Sequence, residues 1–293
     1  MSFLSMPGGF RLRYSDRGPG SGSGPGSASG PGSGSASGSG SDTGTVLLVH
    51  GWKGSHRLWD KVVVELMGAR RVVSFDLRGM GESDKPACRY DFDEMAADVG
   101  GVIDALELED VTLVGWSMGC TVGLSYMAGD GHGVSRLVLT NGPLRLTQTA
   151  DFPHAMVASE LTGYTEDMAR RWPSSEYEFQ RATLIEPDPP VVDLLYRIAL
   201  QTPLDVALAI VRAQEQLDMR DTLDKLAIPV LAVYSEHDPY YPTSLADYIA
   251  SHAADGQRVV LQHSAHAVPL EEPRAYAEAI ERFIASRPRR AEG

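Results

Sequence analysis

Six short apolar runs, separated by amphipathic segments, most constrain the fold of this 293-residue chain. The run at 45–50 (TVLLVH) is almost continuously apolar, which is typical of a strand buried on both faces of a parallel sheet. Five more runs have the same character, at residues 71–75, 111–115, 137–140, 230–234 and 258–261. Helix-like patterns alternate with them, at residues 58–67, 93–106, 118–129, 245–253 and 273–285. The alternation predicts an α/β fold with a mostly parallel sheet flanked by helices.

The alternation is interrupted between residues 143 and 226. The patterns in this segment are helical, at 164–172, 191–200 and 204–217, and no strand-like run of comparable strength occurs among them. The segment is too long for a simple crossover between two strands. We therefore interpret 143–226 as a helical lid inserted between two strands, over one end of the sheet.

A low-complexity tract lies near the start of the chain. Residues 18–41 comprise 10 Gly, 9 Ser, 3 Pro and 2 Ala, a composition with almost no side chain to bury against a core. We interpret the tract as a disordered loop within a single domain spanning 1–293. It would join an antiparallel strand at 10–15 to the strand at 45–50, as an expanded hairpin loop away from the carboxyl edge of the sheet.

Charge and composition exclude several classes of protein. The net charge of −13 argues against binding to nucleic acid or to anionic membranes. No apolar run approaches the length of a membrane span, and the first residues do not resemble a signal peptide. Two cysteines are too few for a disulfide framework. The expected location is cytoplasmic, and the sequence does not predict an oligomeric state.

A serine lies where the run at 111–115 meets a helix-like segment. Residues 115–119 read Gly-Trp-Ser-Met-Gly, and G-x-S-x-G between a strand and a helix is typical of a nucleophile held on a tight turn. The two glycines relieve crowding around the serine, and the first amides of the helix favour a developing negative charge. Ser117 is therefore the predicted nucleophile.

A serine nucleophile needs a base, and the base needs a carboxylate that orients it. His266 and Asp238 each follow a predicted strand, so both are expected at the carboxyl edge of the sheet beside Ser117. His263 and Glu236 compete for these roles in the same two loops, and we favour His266 and Asp238. The chain order serine, aspartate, histidine is the one expected for this type of turn. Four other histidines are interpreted as exposed: His56, His132, His154 and His252.

The amides of Trp52 and Met118 are the candidate oxyanion hole, because Gly51 allows the backbone after the run at 45–50 to approach closely. Aromatic side chains are candidates for substrate binding, with packing as their alternative role: Trp52, Trp116, Phe152, Tyr164 and Trp172. The sequence has neither G-x-G-x-x-G nor a metal-ligand spacing of His, Cys and carboxylates. No metal or organic cofactor is therefore predicted.

Together these segments resemble the α/β-hydrolase superfamily. The matching pieces are LLVHGW at 47–52, FDLRGMGESDKP at 75–86, LVGWSMG at 113–119, VYSEHDPYYP at 233–242 and HSAHAVPLEEP at 263–273. Within the superfamily the chain is most similar to bacterial esterases, lactonases and cofactor-free haloperoxidase-like enzymes. The resemblance implies the α/β-hydrolase fold and a triad of Ser117, His266 and Asp238. The serine excludes relatives that use an aspartate nucleophile.

The expected activity is hydrolysis of a small-molecule carboxylic ester or lactone through an acyl-enzyme. Carbon–carbon bond hydrolysis, thioester cleavage or acyl transfer, and perhydrolysis use the same triad and stay open as alternatives. A non-catalytic ligand-binding protein on the same scaffold is an alternative of a different class.

Overall fold

The computed structural model describes residues 2–22 and 44–286. Eight strands lie within them: β1 (Ser2–Ser5), β2 (Arg11–Arg17), β3 (Thr45–Val49), β4 (Arg71–Phe75), β5 (Val111–Trp116), β6 (Val134–Thr140), β7 (Val230–Ser235) and β8 (Gly256–Leu261). They form one sheet in the order β1-β2-β4-β3-β5-β6-β7-β8. The six strands from β4 to β8 in that order are parallel to one another. Strand β2 is antiparallel to both of its neighbours, β1 and β4. The predicted mostly parallel α/β fold is confirmed.

Helices connect these strands in the described part of the chain. A 3-10 helix spans His56–Trp59, and six α-helices lie outside the segment between β6 and β7: α1 (Asp60–Leu66), α2 (Phe92–Ala105), α3 (Met118–Ala128), α9 (Ser244–His252), α10 (Val268–Glu271) and α11 (Pro273–Ala285). Five lie between β6 and β7: α4 (Ala158–Arg171), α5 (Ser174–Ala182), α6 (Pro189–Ala199), α7 (Leu204–Glu215) and α8 (Arg220–Lys225). The second group is called the inserted helices below.

The continuously apolar strands are explained by a core on each face of the sheet. In β3, Val46 and Leu48 belong to the core that includes residues of α1 and α11. Leu47 and Val49 belong to the core on the other face, which includes residues of α2, α3 and α9. Because successive side chains of a strand point to opposite faces, a strand covered on both faces has no polar alternation.

One predicted strand neighbour is wrong. The segment expected at 10–15 forms β2, but β2 pairs with β4, with Tyr14 opposite Phe75, and does not pair with β3. The reason is that β3 pairs with β4 on one side and β5 on the other, so neither of its edges is free. An ion pair between Asp16 of β2 and Arg71 of β4, at 3.0 Å, joins the same two strands. The additional strand β1 was not predicted.

Of the predicted Gly/Ser-rich loop at 18–41, residues 18–22 are described and residues 23–41 lie outside the described residues. Residues 18–22 form a turn, in which the Ser21 amide donates to the Gly18 carbonyl at 3.2 Å. The described flanks are at the amino edge of the parallel strands, because Arg17 pairs with Val72 near the start of β4 and Thr45 begins β3.

Two of the inserted helices, α5 and α8, were not predicted. The buried face of α5 is largely polar, with Ser175, Glu176 and Gln180 enclosed by protein. Hydrophobic periodicity is the main sequence signal for a helix, so a helix that buries polar residues escapes it. Among the described residues no single helix is long and apolar enough to span a membrane; α6 and α7 meet the criteria only as a pair bent by 87°.

Candidate active site

Ser117 lies on the turn between β5 and α3, in a conformation that few residues adopt. Its φ is 56° and its ψ is −123°, and its amide donates to the Thr140 carbonyl at 2.8 Å. A Cβ atom on Gly115 would lie 2.4 Å from the Gly119 carbonyl oxygen, and one on Gly119 would lie 2.3 Å from the Val49 carbonyl oxygen. The two glycines of the motif are therefore required by backbone packing around the serine.

The structure brings Ser117, His266 and Asp238 together. His266 Nε2 lies 2.9 Å from Ser117 Oγ, and His266 Nδ1 lies 2.9 Å from Asp238 Oδ2. The Asp238 side chain is fully buried and the His266 side chain is 8% exposed. Three residues that follow the ends of β5, β7 and β8 meet here because the parallel strands end at one edge of the sheet.

Backbone contacts hold the histidine and the aspartate in place. The Trp116 indole Nε1 donates to the His266 carbonyl at 2.8 Å, and the His266 amide donates to the Thr183 carbonyl at 3.0 Å. The second oxygen of Asp238 accepts the amide of Tyr240 at 2.8 Å. The Tyr240 ring stands edge-on to the imidazole, with centroids 4.9 Å apart. The imidazole thus has a fixed orientation between the serine and the carboxylate.

The competing residues point elsewhere. Glu236 and His263 are both exposed, and the amide of His263 donates to Glu272 at 3.0 Å. The interpretation of His56 as exposed is wrong, because His56 is buried and its Nδ1 lies 2.6 Å from Asp76 Oδ1. That carboxylate also accepts the Glu82 amide at 2.6 Å, so Asp76 joins the segment around His56 to its own loop.

The amides proposed for the oxyanion hole flank the serine. A Cβ atom on Gly51 would lie 3.0 Å from Ser117 Cβ, so the turn that carries Trp52 packs directly against the serine. Met118 is the first residue of α3, where amides have no partner within the helix. The amides of Trp52 and Met118 donate no hydrogen bond that the structure shows in residues 2–22 and 44–286.

Two cavities meet at Ser117 and His266. The first, called the apolar cavity, is also lined by Trp52, Met118, Leu146, Tyr164, Phe179 and Gln214 among others, with about 480 Å³ of space not filled by protein, part of it open to solvent. The second, called the polar cavity, shares Trp52 and Phe179 with the first and adds Lys53, Gln180 and Thr183. The inserted helices supply much of both walls.

The five aromatic residues predicted to bind substrate have different positions. Trp52 and Tyr164 line the apolar cavity. Trp116 lines the polar cavity, and its indole N–H donates to the His266 carbonyl. Phe152 is fully buried in the core and packs against Tyr248, with ring centroids 5.2 Å apart. The structure brings neither Phe152 nor Trp172 to the wall of either cavity.

Sequence reasoning missed a buried ion pair beside the site. Lys53 directly follows Trp52, and its Nζ lies 2.5 Å from Glu176 Oε2 of α5, with both side chains fully buried. The ammonium also donates to the Tyr164 hydroxyl at 3.0 Å and lies 3.9 Å from the centre of the Trp52 ring. Burial lowers the pKa of Lys53 to about 8, against the opposing effect of Glu176. The two residues are 123 positions apart, so no local pattern could have paired them.

Gln214, Tyr240 and Tyr241 were also missed as cavity residues. Tyr240 and Tyr241 come just after Asp238, in the VYSEHDPYYP segment, and that proximity was the one available signal. Burial raises the pKa of both phenols above its ordinary value, so both are neutral at neutral pH. Gln214 gave no sequence signal, because it lies on a helix between two strands and approaches Ser117 only in the folded chain.

The arrangement can perform nucleophilic catalysis. The serine is within hydrogen-bonding distance of a base, and the base is oriented by a buried carboxylate. Two amides without a partner among the described residues lie beside the serine. The base can take a proton from the serine as it attacks a carbonyl and return the proton to a leaving group.

The sequence model of the α/β hydrolase fold matches residues 44–273. The chain therefore belongs to the α/β-hydrolase family. A similar curated protein is the pimeloyl-[acyl-carrier protein] methyl ester esterase of Neisseria meningitidis, 28% identical over 251 residues that cover 82% of this chain and 93% of that enzyme. Another is 3-oxoadipate enol-lactonase 2 of Acinetobacter baylyi, 24% identical over 227 residues, which cover 76% of this chain and 82% of that enzyme.

Solved structures agree with this assignment. The esterase EaEST from Exiguobacterium antarcticum has a TM-score of 0.83 and 25% identity, with 97% of this chain and 99% of that chain covered. A bromoperoxidase from Bacillus anthracis has the same TM-score at 21% identity, with coverage of 97% and 100%, and shows the shared fold.

Proposed function

We propose that this α/β hydrolase cleaves a carboxylic ester or lactone through an acyl-enzyme on Ser117. The observation that carries the proposal is the hydrogen-bonded series Ser117 Oγ, His266 Nε2 and Nδ1, and Asp238 Oδ2, with 2.9 Å at each step. This series ends at a cavity open to a small molecule, and relatives named as esterases and an enol-lactonase support an ester-like substrate.

Each residue has a role that follows from its position. Ser117 Oγ attacks the ester carbonyl carbon while His266 Nε2 takes its proton, and the amides of Trp52 and Met118 donate to the oxyanion. His266 then gives the proton to the leaving alcohol. Asp238 accepts the Nδ1 hydrogen bond, which selects the tautomer and stabilises the imidazolium. In the second half of the reaction His266 takes a proton from water, which attacks the acyl-enzyme, and Ser117 is released as the leaving group.

The test replaces the serine. Ser117→Ala should lower kcat for p-nitrophenyl esters by about four orders of magnitude or more without unfolding the protein, and should abolish labelling by a fluorophosphonate probe. Ser125→Ala is the matched control, because Ser125 lies on α3 with its hydroxyl buried and unpartnered among the described residues. Full activity in Ser117→Ala would overturn the proposal. Absence of labelling in the folded wild-type protein would favour a non-catalytic binding protein.

A further inference from the structure

Gln214 is a polar side chain in a wall that is otherwise mostly apolar. It lies on α7, is 5% exposed and lines the apolar cavity. Its Nε2 donates to Thr121 Oγ1 at 2.8 Å, which leaves Oε1 as the remaining acceptor. In the described part of the chain Gln214 Oε1 accepts no hydrogen bond, and this atom is not fully enclosed by protein. An acceptor without a partner among the described residues thus belongs to a residue of the cavity wall.

An unpaired acceptor in such a place discriminates between ligands. A wholly apolar group in the cavity would displace water from Oε1 and leave it without a partner, which costs binding free energy. A group that carries a hydroxyl or N–H would restore the hydrogen bond. The Tyr164 hydroxyl does not compete for this role, because it accepts from Lys53 at 3.0 Å. The Tyr241 hydroxyl of the same wall can either donate or accept, so it tolerates a polar group nearby.

The cavity also selects by charge. No Lys, Arg, Asp or Glu is among the described residues that line it. The ammonium of Lys53 borders the polar cavity and is already paired with Glu176 at 2.5 Å. A charged group placed in the apolar cavity would lose hydration without gaining an opposite charge, which is unfavourable.

The two cavities suit different parts of an ester. The second half of the reaction needs a polar approach for water to His266 while the acyl group is still bound to Ser117. The polar cavity is the more polar of the two, with Lys53, Gln180 and Thr183 among its lining residues, so it is the better route for water and for the departing alcohol. The acyl group then occupies the apolar cavity, beside Gln214.

We propose that the enzyme prefers esters of uncharged acids whose acyl chain carries a hydroxyl or N–H donor, which Gln214 Oε1 accepts. This inference rests on the proposed ester hydrolysis and names the class of acyl group. Gln214 is then a specificity-determining residue, with no part in the bond-breaking steps.

The direct test uses wild-type enzyme and matched substrates. p-Nitrophenyl esters of hexanoic acid and of 3-phenylpropanoic acid are compared with derivatives that carry hydroxyl or methoxy at the chain end or ring. We expect kcat/KM for one hydroxyl derivative in at least one series to exceed that of its parent by about fivefold to tenfold. The methoxy derivative, which cannot donate, should show no gain. The absence of any hydroxyl preference in both series would overturn the inference.

The variant Gln214→Met locates the preference. It keeps the length of the side chain and removes the acceptor, so the ratio of kcat/KM for the hydroxyl ester to kcat/KM for its parent should fall to about one. Gln216→Met is the matched control, since it makes the same exchange at the exposed residue that caps the end of α7 and leaves Gln214 and its hydrogen bond to Thr121 in place. The control should retain the preference. A preference that survives in Gln214→Met would also overturn the inference.

Two further outcomes separate this inference from the proposed function. The mono-p-nitrophenyl ester of adipic acid should be cleaved at least about tenfold less efficiently than the hexanoate, and equal efficiency would contradict the exclusion of charge. If parent esters are cleaved without any discrimination, the acyl class alone is wrong. If no ester is cleaved and Ser117 is not labelled, the proposed function fails and the inference fails with it.

Discussion

At the scale of single residues, the site depends on glycines at positions where the backbone leaves no room for a Cβ atom. Gly119 is the clearest case, because a Cβ atom there would lie 2.3 Å from the Val49 carbonyl oxygen and 2.9 Å from that of His50. Both contacts are with backbone, which cannot rotate away. Gly123, one turn later on α3, would place its Cβ 3.4 Å from Leu137 Cδ1, an ordinary contact.

Alanine at these two glycines should therefore have opposite effects. Gly119→Ala is expected to lower the free energy of unfolding by about 1–3 kcal/mol, and to lower kcat/KM because the backbone leading to Trp52 must move. Gly123→Ala should be neutral or stabilise by up to about 1 kcal/mol, since alanine favours the helix. Urea unfolding and p-nitrophenyl ester hydrolysis measure both effects. Equal destabilisation by the two variants would show that the contact with the Val49 carbonyl is not the cause.

At the scale of elements, the ion pair between Lys53 and Glu176 joins the turn that carries Trp52 to α5. Gln180 donates to the second carboxylate oxygen of Glu176 at 2.7 Å, so the buried acid is hydrogen-bonded on both oxygens. Removing one member of such a pair leaves the other charge buried and unpaired, whereas removing both does not.

We therefore expect Lys53→Met and Glu176→Gln each to destabilise the protein by about 3–5 kcal/mol. The double variant Lys53→Met/Glu176→Gln should lose less stability than the two single losses combined. Because Lys53 follows Trp52, both single variants should also lower kcat. The measurements are urea unfolding and steady-state kinetics.

The control for this prediction is the exposed pair Arg171–Asp167 on α4, at 2.6 Å. Exposed pairs contribute about 0–1 kcal/mol, so Arg171→Ala should change neither stability nor kcat appreciably. If Lys53→Met behaves like Arg171→Ala, the buried pair does not connect α5 to the site.

At the scale of the whole molecule, the described residues that flank the Gly/Ser-rich tract lie at the edge of the sheet opposite Ser117. Arg17 and Thr45, the described flanks of the tract, lie at the amino edge of the sheet, and Ser117 lies at the carboxyl edge. Because β4 lies between β2 and β3, these two strands are two strand spacings apart, about 10 Å. A connection of four residues, which would suit a hairpin, is therefore close to the minimum that can span the gap.

Deletion of residues 24–41, which leaves about nine connecting residues, should keep kcat/KM within about twofold of wild type. The composition predicts a flexible loop, and a threefold shorter loop should raise the free energy of unfolding by about 1 kcal/mol, or Tm by about 2–4 °C. Ester hydrolysis and thermal unfolding test this. A large loss of activity at an unchanged Tm would show that the tract contributes to the site.

Local patterns were sufficient for much of this protein. The runs at 45–50 and 111–115 are apolar throughout because both faces of the sheet are covered. Each run therefore predicts a buried strand on its own, without reference to the rest of the chain. The G-x-S-x-G turn and the strand-end positions of Asp238 and His266 are likewise local, and parallel strands necessarily bring their carboxyl ends to one edge. The mostly parallel α/β fold and the choice of the three residues now hydrogen-bonded together followed from these signals, and the resemblance of the motifs implied the α/β-hydrolase fold.

Contacts between distant segments were decided only by the tertiary structure. The pairing of β2 with β4 depends on which strand edge remains free once β3 has a neighbour on each side. The burial of Glu176 on α5 is favourable only because Lys53 reaches it from another part of the chain. Gln214 lines the cavity only because α7 packs against α2 and brings this side chain to Thr121 of α3. A sequence shows which side chains must be buried, but the partner of a buried polar group depends on how the whole chain packs.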